Sequence, residues 1–366
     1  MRIENELMLE LCKFIRPEER RIKDLLQQKP DMAYVLGSLL YNRMGGTAYH
    51  TLKATGLLDA TNREFRNSLQ MVYSLQVDKT MEYRNALAEL SLLLKEIPVR
   101  YALLKGAHLC GLYPIGLRTS NDIDLLINKD SIGTITEILL DNQFEQGYIY
   151  DDIFVPATRR EIIAARMNRG ETVPFIKKID GHVMKFLEID LNYSLDYQAM
   201  DKEDTVGCML QRSEPLIKTT MENLFTLSSE DFIIHLCAHL YKEATTFPWV
   251  LGGRDLSLYK FSDLYLLYEK GIFSSAEKIV KLVKRIHYLK QQKACYYSFR
   301  NLCVLYDLHD GKIESFLSML DISDMKFMQQ IYRPDEKKHY QYNMDYLSWF
   351  FCPDRAAYLE VAMDEK

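Results

Sequence analysis

The 366-residue chain has no run of about 18 apolar residues free of charge, so no helix that crosses a bilayer is expected. It has no C-x-x-C pair. Its seven cysteines (Cys12, Cys110, Cys208, Cys237, Cys295, Cys303, Cys352) are an odd number that cannot all pair within one chain, so reduced thiols and a cytoplasmic setting are expected. No uninterrupted apolar stretch opens the sequence, because Glu4, Glu6 and Glu10 interrupt it, and no secretion signal is expected. A positive excess is also lacking: the net charge is -5, which argues against a protein that coats nucleic acid or tracks an extended template. No internal repeat, low-complexity tract or flexible linker stands out, so domain boundaries are soft.

What is present is an ordinary globular composition, 48% hydrophobic and 27% charged, in a length that suits two or three domains of roughly 100 to 200 residues. The stretch from Tyr101 to Asn128 organises the rest. At its centre lies Asp122-Ile123-Asp124, two carboxylates one residue apart in an apolar run. Side chains alternate faces along a strand, so both acids project to the same side. Two such carboxylates repel, and a divalent cation removes the conflict. Upstream, Lys105-Gly106 follows the apolar segment Tyr101 to Leu104 and precedes a helix-like run, placing a glycine where a strand turns into a helix and where backbone N–H groups can face a phosphate.

The order and spacing of Leu104-Lys105-Gly106, Tyr113-Pro114, Arg118 and Asp122-Ile123-Asp124-Leu125-Leu126 resemble the active-site core of the DNA polymerase beta-like nucleotidyltransferases, with the closer likeness to their large uncharacterised bacterial branch. The resemblance is strong over about 28 residues and looser over much of 95 to 270. It implies an α+β fold: a mixed sheet of about five strands with helices, flanked by N-terminal (1–96) and C-terminal (201–366) helical segments around a core at 97–200. It implies Mg2+ or Mn2+ held by Asp122, Asp124 and a third carboxylate, and an NTP such as ATP as substrate. Nucleotide contacts would come from Lys105, Gly106 and Arg118. The implied reaction moves an NMP to an acceptor hydroxyl on a small molecule, peptide or protein; the alternative is an inactive scaffold that binds a nucleotide or a partner.

The third carboxylate is sought on a later strand. Asp180-Gly181 between Val173 to Ile179 and Val183 to Leu191 signals an antiparallel hairpin. Glu188 and Asp190 share one face of its second strand, and Asp190-Leu191-Asn192-Tyr193 is similar to the branch's D-L-H-W, which favours Asp190. The sequence departs from that pattern at Asn192 and Tyr193. It also has Gly106-Ala107 where the wider superfamily commonly has Gly-Ser or Gly-Gly, so one hydroxyl contact is absent there.

Other residues carry open alternatives. Lys105 is either a phosphate contact or a solvated strand end, and Arg118 either contacts phosphate or braces the loop. His235 and His239, four apart on a predicted helix with Cys237 between them, have a spacing that suits zinc, as a hydrolase would need, or serve as core histidines. His239 and Asp263 are a further pair that the resemblance brings to the site. Arg159, Arg160, Arg166, Arg169, Lys177 and Lys178 form either a solvated basic face or a surface for acceptor or triphosphate. Asn62 to Glu96, without Pro or Gly, is expected as one long helix or two, and the Tyr-rich end around Trp349 packs either on the chain's own core or on a partner.

Overall fold

The computed structural model describes residues 1–95, 97–168, 170–196, 204–216 and 224–362. The chain forms two compact units, one of residues 74–232 and one of residues 1–73 with 233–366. No helix among the described residues is long and apolar enough to cross a membrane.

The first unit is built on a mixed sheet. Its strands are β1 (Tyr101–Leu103), β2 (Asp122–Ile127), β3 (Glu145–Tyr150), β4 (Ile153–Pro156), β5 (Phe175–Lys178), β6 (Phe186–Asn192), β7 (Glu214–Pro215) and β8 (Phe225–Thr226). They lie in the order β4-β3-β5-β6-β2-β1-β8-β7. The sheet thus has eight strands, not the expected five or so. The strands read at Tyr101 to Leu104, at Asp-x-Asp and in the Asp180-Gly181 hairpin are there as β1, β2, β5 and β6. Three of the others are short: β7 and β8 hold two residues each, and β4 is turned back against β3 by Asp151-Asp152, whose φ values of 47° and 60° are left-handed.

Alternation along the strands separates a dry face from a polar one. Ile123, Leu125, Ile127, Leu187, Ile189 and Leu191 all enter one hydrophobic core, together with Leu87, Leu90 and Leu94 of the helix Arg63–Leu94 and Ile132, Ile135 and Leu139 of the helix Ile132–Asp141. A fully buried Leu or Ile side chain contributes roughly 1.5–3 kcal/mol, so this face can hold the strands in place despite repulsion among acids on the other. The region Asn62 to Glu96 resolves into the single 32-residue helix Arg63–Leu94. The hairpin expected from Asp180-Gly181 forms, with β5 antiparallel to β6 and Ile176 opposite Glu188. Its turn is wider than the two-residue type I′ turn that Asp-Gly favours: Ile179 N–H bonds to the Lys185 carbonyl, residues 180–184 make the loop, and the second strand starts at Phe186 and not at Val183.

The second unit is mainly helical. It also carries a small antiparallel sheet, β9 (Gln330–Arg333), β10 (Lys338–Gln341) and β11 (Glu360–Val361), which a purely helical reading of the C-terminal segment leaves out. The Tyr-rich end packs on this unit's own helices. Trp349 is fully buried and stacked on Tyr342 at 3.9 Å, and Tyr346 and Phe350 meet Phe261 edge-on.

Candidate active site

β2 and β6 are adjacent and parallel, and their register sets Asp122 beside Glu188 and Asp124 beside Asp190. All four acids therefore fall on the sheet face opposite the core. One carboxylate oxygen from each of Asp122, Asp124 and Asp190 lies within 4.8 Å of the other two. Burial, then the charges of Asp122, Asp124 and Glu188, push the Asp190 carboxyl well above the usual carboxylate range. The Glu188 carboxyl is pushed up to about 7, first by burial and then by Asp122 and Asp124. Such mutual repulsion is what a divalent cation relieves, and three hard oxygen donors in this spacing fit Mg2+ or Mn2+.

The acids are held by donors from several parts of the chain. Ser120 Oγ donates to Asp122 Oδ1 at 3.0 Å. Asp124 is buried, and its Oδ1 receives both Lys105 Nζ at 2.9 Å and Asn192 Nδ2 at 3.1 Å. Asn192 thus has a place in the site, two residues beyond Asp190 on the same strand face. The strand period marks it, as does its position in the Asp190-Leu191-Asn192-Tyr193 match.

The turn between β1 and the short helix Lys105–Leu109 is constrained in two ways. Lys105 has φ 38°, a left-handed conformation that costs a non-glycine residue about 1–3 kcal/mol and persists only where its surroundings enforce it. Gly106 is required by close approach: a Cβ there would lie 2.5 Å from Ser120 Oγ and 3.2 Å from Tyr83 Oη. Further along, Leu117 N–H closes on the Pro114 carbonyl across Gly116 at φ 85°, a turn that carries the chain to Arg118. The Arg118 guanidinium donates to the Thr119 carbonyl within that loop.

The helix Arg63–Leu94 braces these loops. Lys79 donates to Asn121, Tyr83 Oη to the Asp122 carbonyl at 3.0 Å, and Arg84 to the Cys110 carbonyl at 2.6 Å. Glu82 accepts the N–H groups of His182, Val183 and Met184 at 2.9, 3.0 and 2.7 Å, which fixes the β5–β6 turn. None of these four was singled out in the sequence, because each acts on loops that are distant in the chain.

The other candidate residues lie elsewhere or act differently. His235 is buried, and His239 lies 3.4 Å from Glu243; no third His, Cys, Asp or Glu joins them in metal-ligand geometry among the described residues. Asp263 is buried in the helix Leu258–Glu269, in the same unit as His239. Of the basic residues, Arg166 donates to Thr136 Oγ1 and Lys177 lies over the Phe144 ring, while Arg159, Arg160 and Lys178 are exposed. Arg169 lies outside the described residues.

A mixed α+β unit that sets an Asp-x-Asp strand beside a parallel strand carrying a third acid, with a glycine turn close by, has the architecture of a nucleotidyltransferase core. Residues 30–307, more than half of the chain, match the family described as "Uncharacterised nucleotidyltransferase", and the chain belongs to that family. No curated protein matches it.

Proposed function

We propose that this chain is a divalent-metal-dependent nucleotidyltransferase that moves an NMP from an NTP to a hydroxyl on a small molecule, peptide or protein. The observation that carries this reading is the convergence of Asp122, Asp124 and Asp190 oxygens within 4.8 Å on one sheet face. These three residues would hold Mg2+ or Mn2+, which when bound neutralises phosphate charge and lowers the pKa of an attacking hydroxyl.

The chain's own groups divide the remaining work. Lys105 and Arg118 supply positive charge on the triphosphate side, and Gly106 keeps the turn free of a side chain. Asp190 faces the acceptor and takes its hydroxyl proton. The acceptor oxygen bonds to the α-phosphorus as the bond to the bridging oxygen breaks, and pyrophosphate leaves. Positioning and charge neutralisation account for most of such a transfer.

The test is incubation of the protein with each α-labelled NTP, Mg2+ or Mn2+, and a cell lysate. We expect a labelled product that requires metal and disappears with Asp122→Asn. Absence of both transfer and metal-dependent NTP binding would overturn the reading, and NTP binding without any transfer would leave only a scaffold.

A further inference from the structure

Lys105 lies directly against the acids, and its position is unlike that of a residue waiting for phosphate. Its ammonium is 2.9 Å from Asp124 Oδ1, and the two side chains are only 17% and 5% exposed. Its backbone is left-handed, with φ 38°. The same Asp124 oxygen also receives Asn192, so the carboxylate already has a full counter-charge and a neutral donor.

A divalent cation shared by Asp122, Asp124 and Asp190 requires the negative charge that Lys105 now balances. An ammonium and a divalent cation on neighbouring oxygens repel. The lysine stem is flexible over four carbons and carries a point charge with rotatable donors, so its head can follow the negative charge when that charge moves. A triphosphate arriving with the cation supplies such a charge beside the same turn.

We propose that Lys105 is the resident counter-ion of Asp124 and is handed over to the triphosphate when the metal–nucleotide complex binds. This rests on the metal-dependent NTP reading above and adds a sign to it: Lys105 opposes binding of the bare cation and favours binding of the cation with nucleotide. It makes the site selective for the complex over free metal, because only the complex gives the displaced ammonium a new partner.

The experiment is Mn2+ binding to the full chain, followed by electron paramagnetic resonance without nucleotide, and then binding of each of the four NTPs in the presence of Mn2+. Lys105→Met should bind bare Mn2+ at least about tenfold more tightly than the wild type and Mn2+–NTP at least about tenfold more weakly. Lys105→Arg, which keeps the charge, should bind bare Mn2+ within about threefold of the wild type. Circular dichroism verifies folding, and Lys105→Gln takes the place of Lys105→Met should that variant be unfolded. Bare Mn2+ binding by Lys105→Met that is no tighter than wild type would overturn the proposal, as would tighter binding with NTP affinity unchanged. Should Asp124→Asn, added to Lys105→Met, leave Mn2+ binding as tight as in Lys105→Met alone, the metal site itself would instead be brought down.

Discussion

Buried charge is treated in opposite ways in two regions of the molecule, the paired acids of the helical unit and the acid-rich face of β2 and β6. In the helical unit two strongly buried acids face matched bases: Asp255 receives Arg355 through two nitrogens at 2.7 and 2.5 Å, and Glu243 receives Lys260 with both side chains 9% exposed. Arg355 also donates to the carbonyls of Phe350 and Cys352, so the pair ties the C-terminal end to its own unit. In the sheet unit, Asp231 is likewise paired, with Arg212. At the face of β2 and β6, however, Asp122, Asp124, Glu188 and Asp190 crowd together with Lys105 placed against one of them. Balanced pairs are the economical solution for a fold, whereas an excess of one sign on a half-buried face makes the folded chain less stable than it need be. Its retention points to a ligand of the other sign.

That contrast can be tested from the balanced side first, where the largest effect is expected. Asp255→Ala should destabilise the chain by about 3–5 kcal/mol in urea denaturation, because it leaves the Arg355 guanidinium buried without its carboxylate. A loss under about 1 kcal/mol would remove the distinction between the two regions.

Next in size is the effect of Asp190→Asn on transfer. A drop of at least about 10², or roughly 2.7 kcal/mol in barrier, is expected while NTP affinity stays within about tenfold. Asp122→Asn or Asp124→Asn should instead weaken metal-dependent NTP binding as well. Glu188→Gln is the control on the same strand face. Should it abolish transfer while Asp190→Asn does not, the third carboxylate is two residues away from where we place it.

A smaller effect concerns pH. Glu188 has a folded value of about 7 against an ordinary 4.5, so the folded chain binds that proton more tightly than the unfolded chain does. Its contribution is therefore fully present below about 4.5 and is lost as pH rises through about 7. Asp190, raised for the same reasons, acts in the same direction. In the presence of a chelator, wild-type stability measured relative to Glu188→Gln should decline across that window, and saturating Mg2+ should flatten the difference. A relative stability that climbs with pH would contradict the crowding of acids.

The smallest change is expected at the exposed basic residues. Arg160→Ala should alter stability by no more than about 0.5 kcal/mol and leave NTP affinity within about twofold. A larger loss of NTP affinity or of transfer would make this face part of the substrate site.

Local chemistry explains what could be read in advance. Asp-x-Asp in an apolar run needs only strand alternation to put both acids on one side, and Asp180-Gly181 marks the place of a reversal though not its width, since residues 180–184 form the loop, so β2, β5 and β6 were legible. β4 was not, because its turn uses Asp151 and Asp152 in left-handed conformations without a glycine to announce them. β7 and β8 are too short to show any period. Within the site, Asp122 and Asp124 share a face as the strand spacing suggests and Asp190, expected from the resemblance, lies beside them, but the engagement of Lys105 and Asn192 with Asp124 spans 19 and 68 residues of chain. Contacts of that kind depend on which strands pair. A pattern along the sequence does not encode them.

The bracing by the helix Arg63–Leu94 bears on how small a working fragment can be. A chain begun at residue 97 would retain every acid of the site but lose Lys79, Glu82, Tyr83 and Arg84. The N–H groups of His182, Val183 and Met184 and the carbonyls of Asp122 and Cys110 would then have to find water instead. The helix segment from about Lys79 onward is in this sense as much a part of the acid-bearing unit as the strands are, and a dissection of the protein has to cut ahead of it.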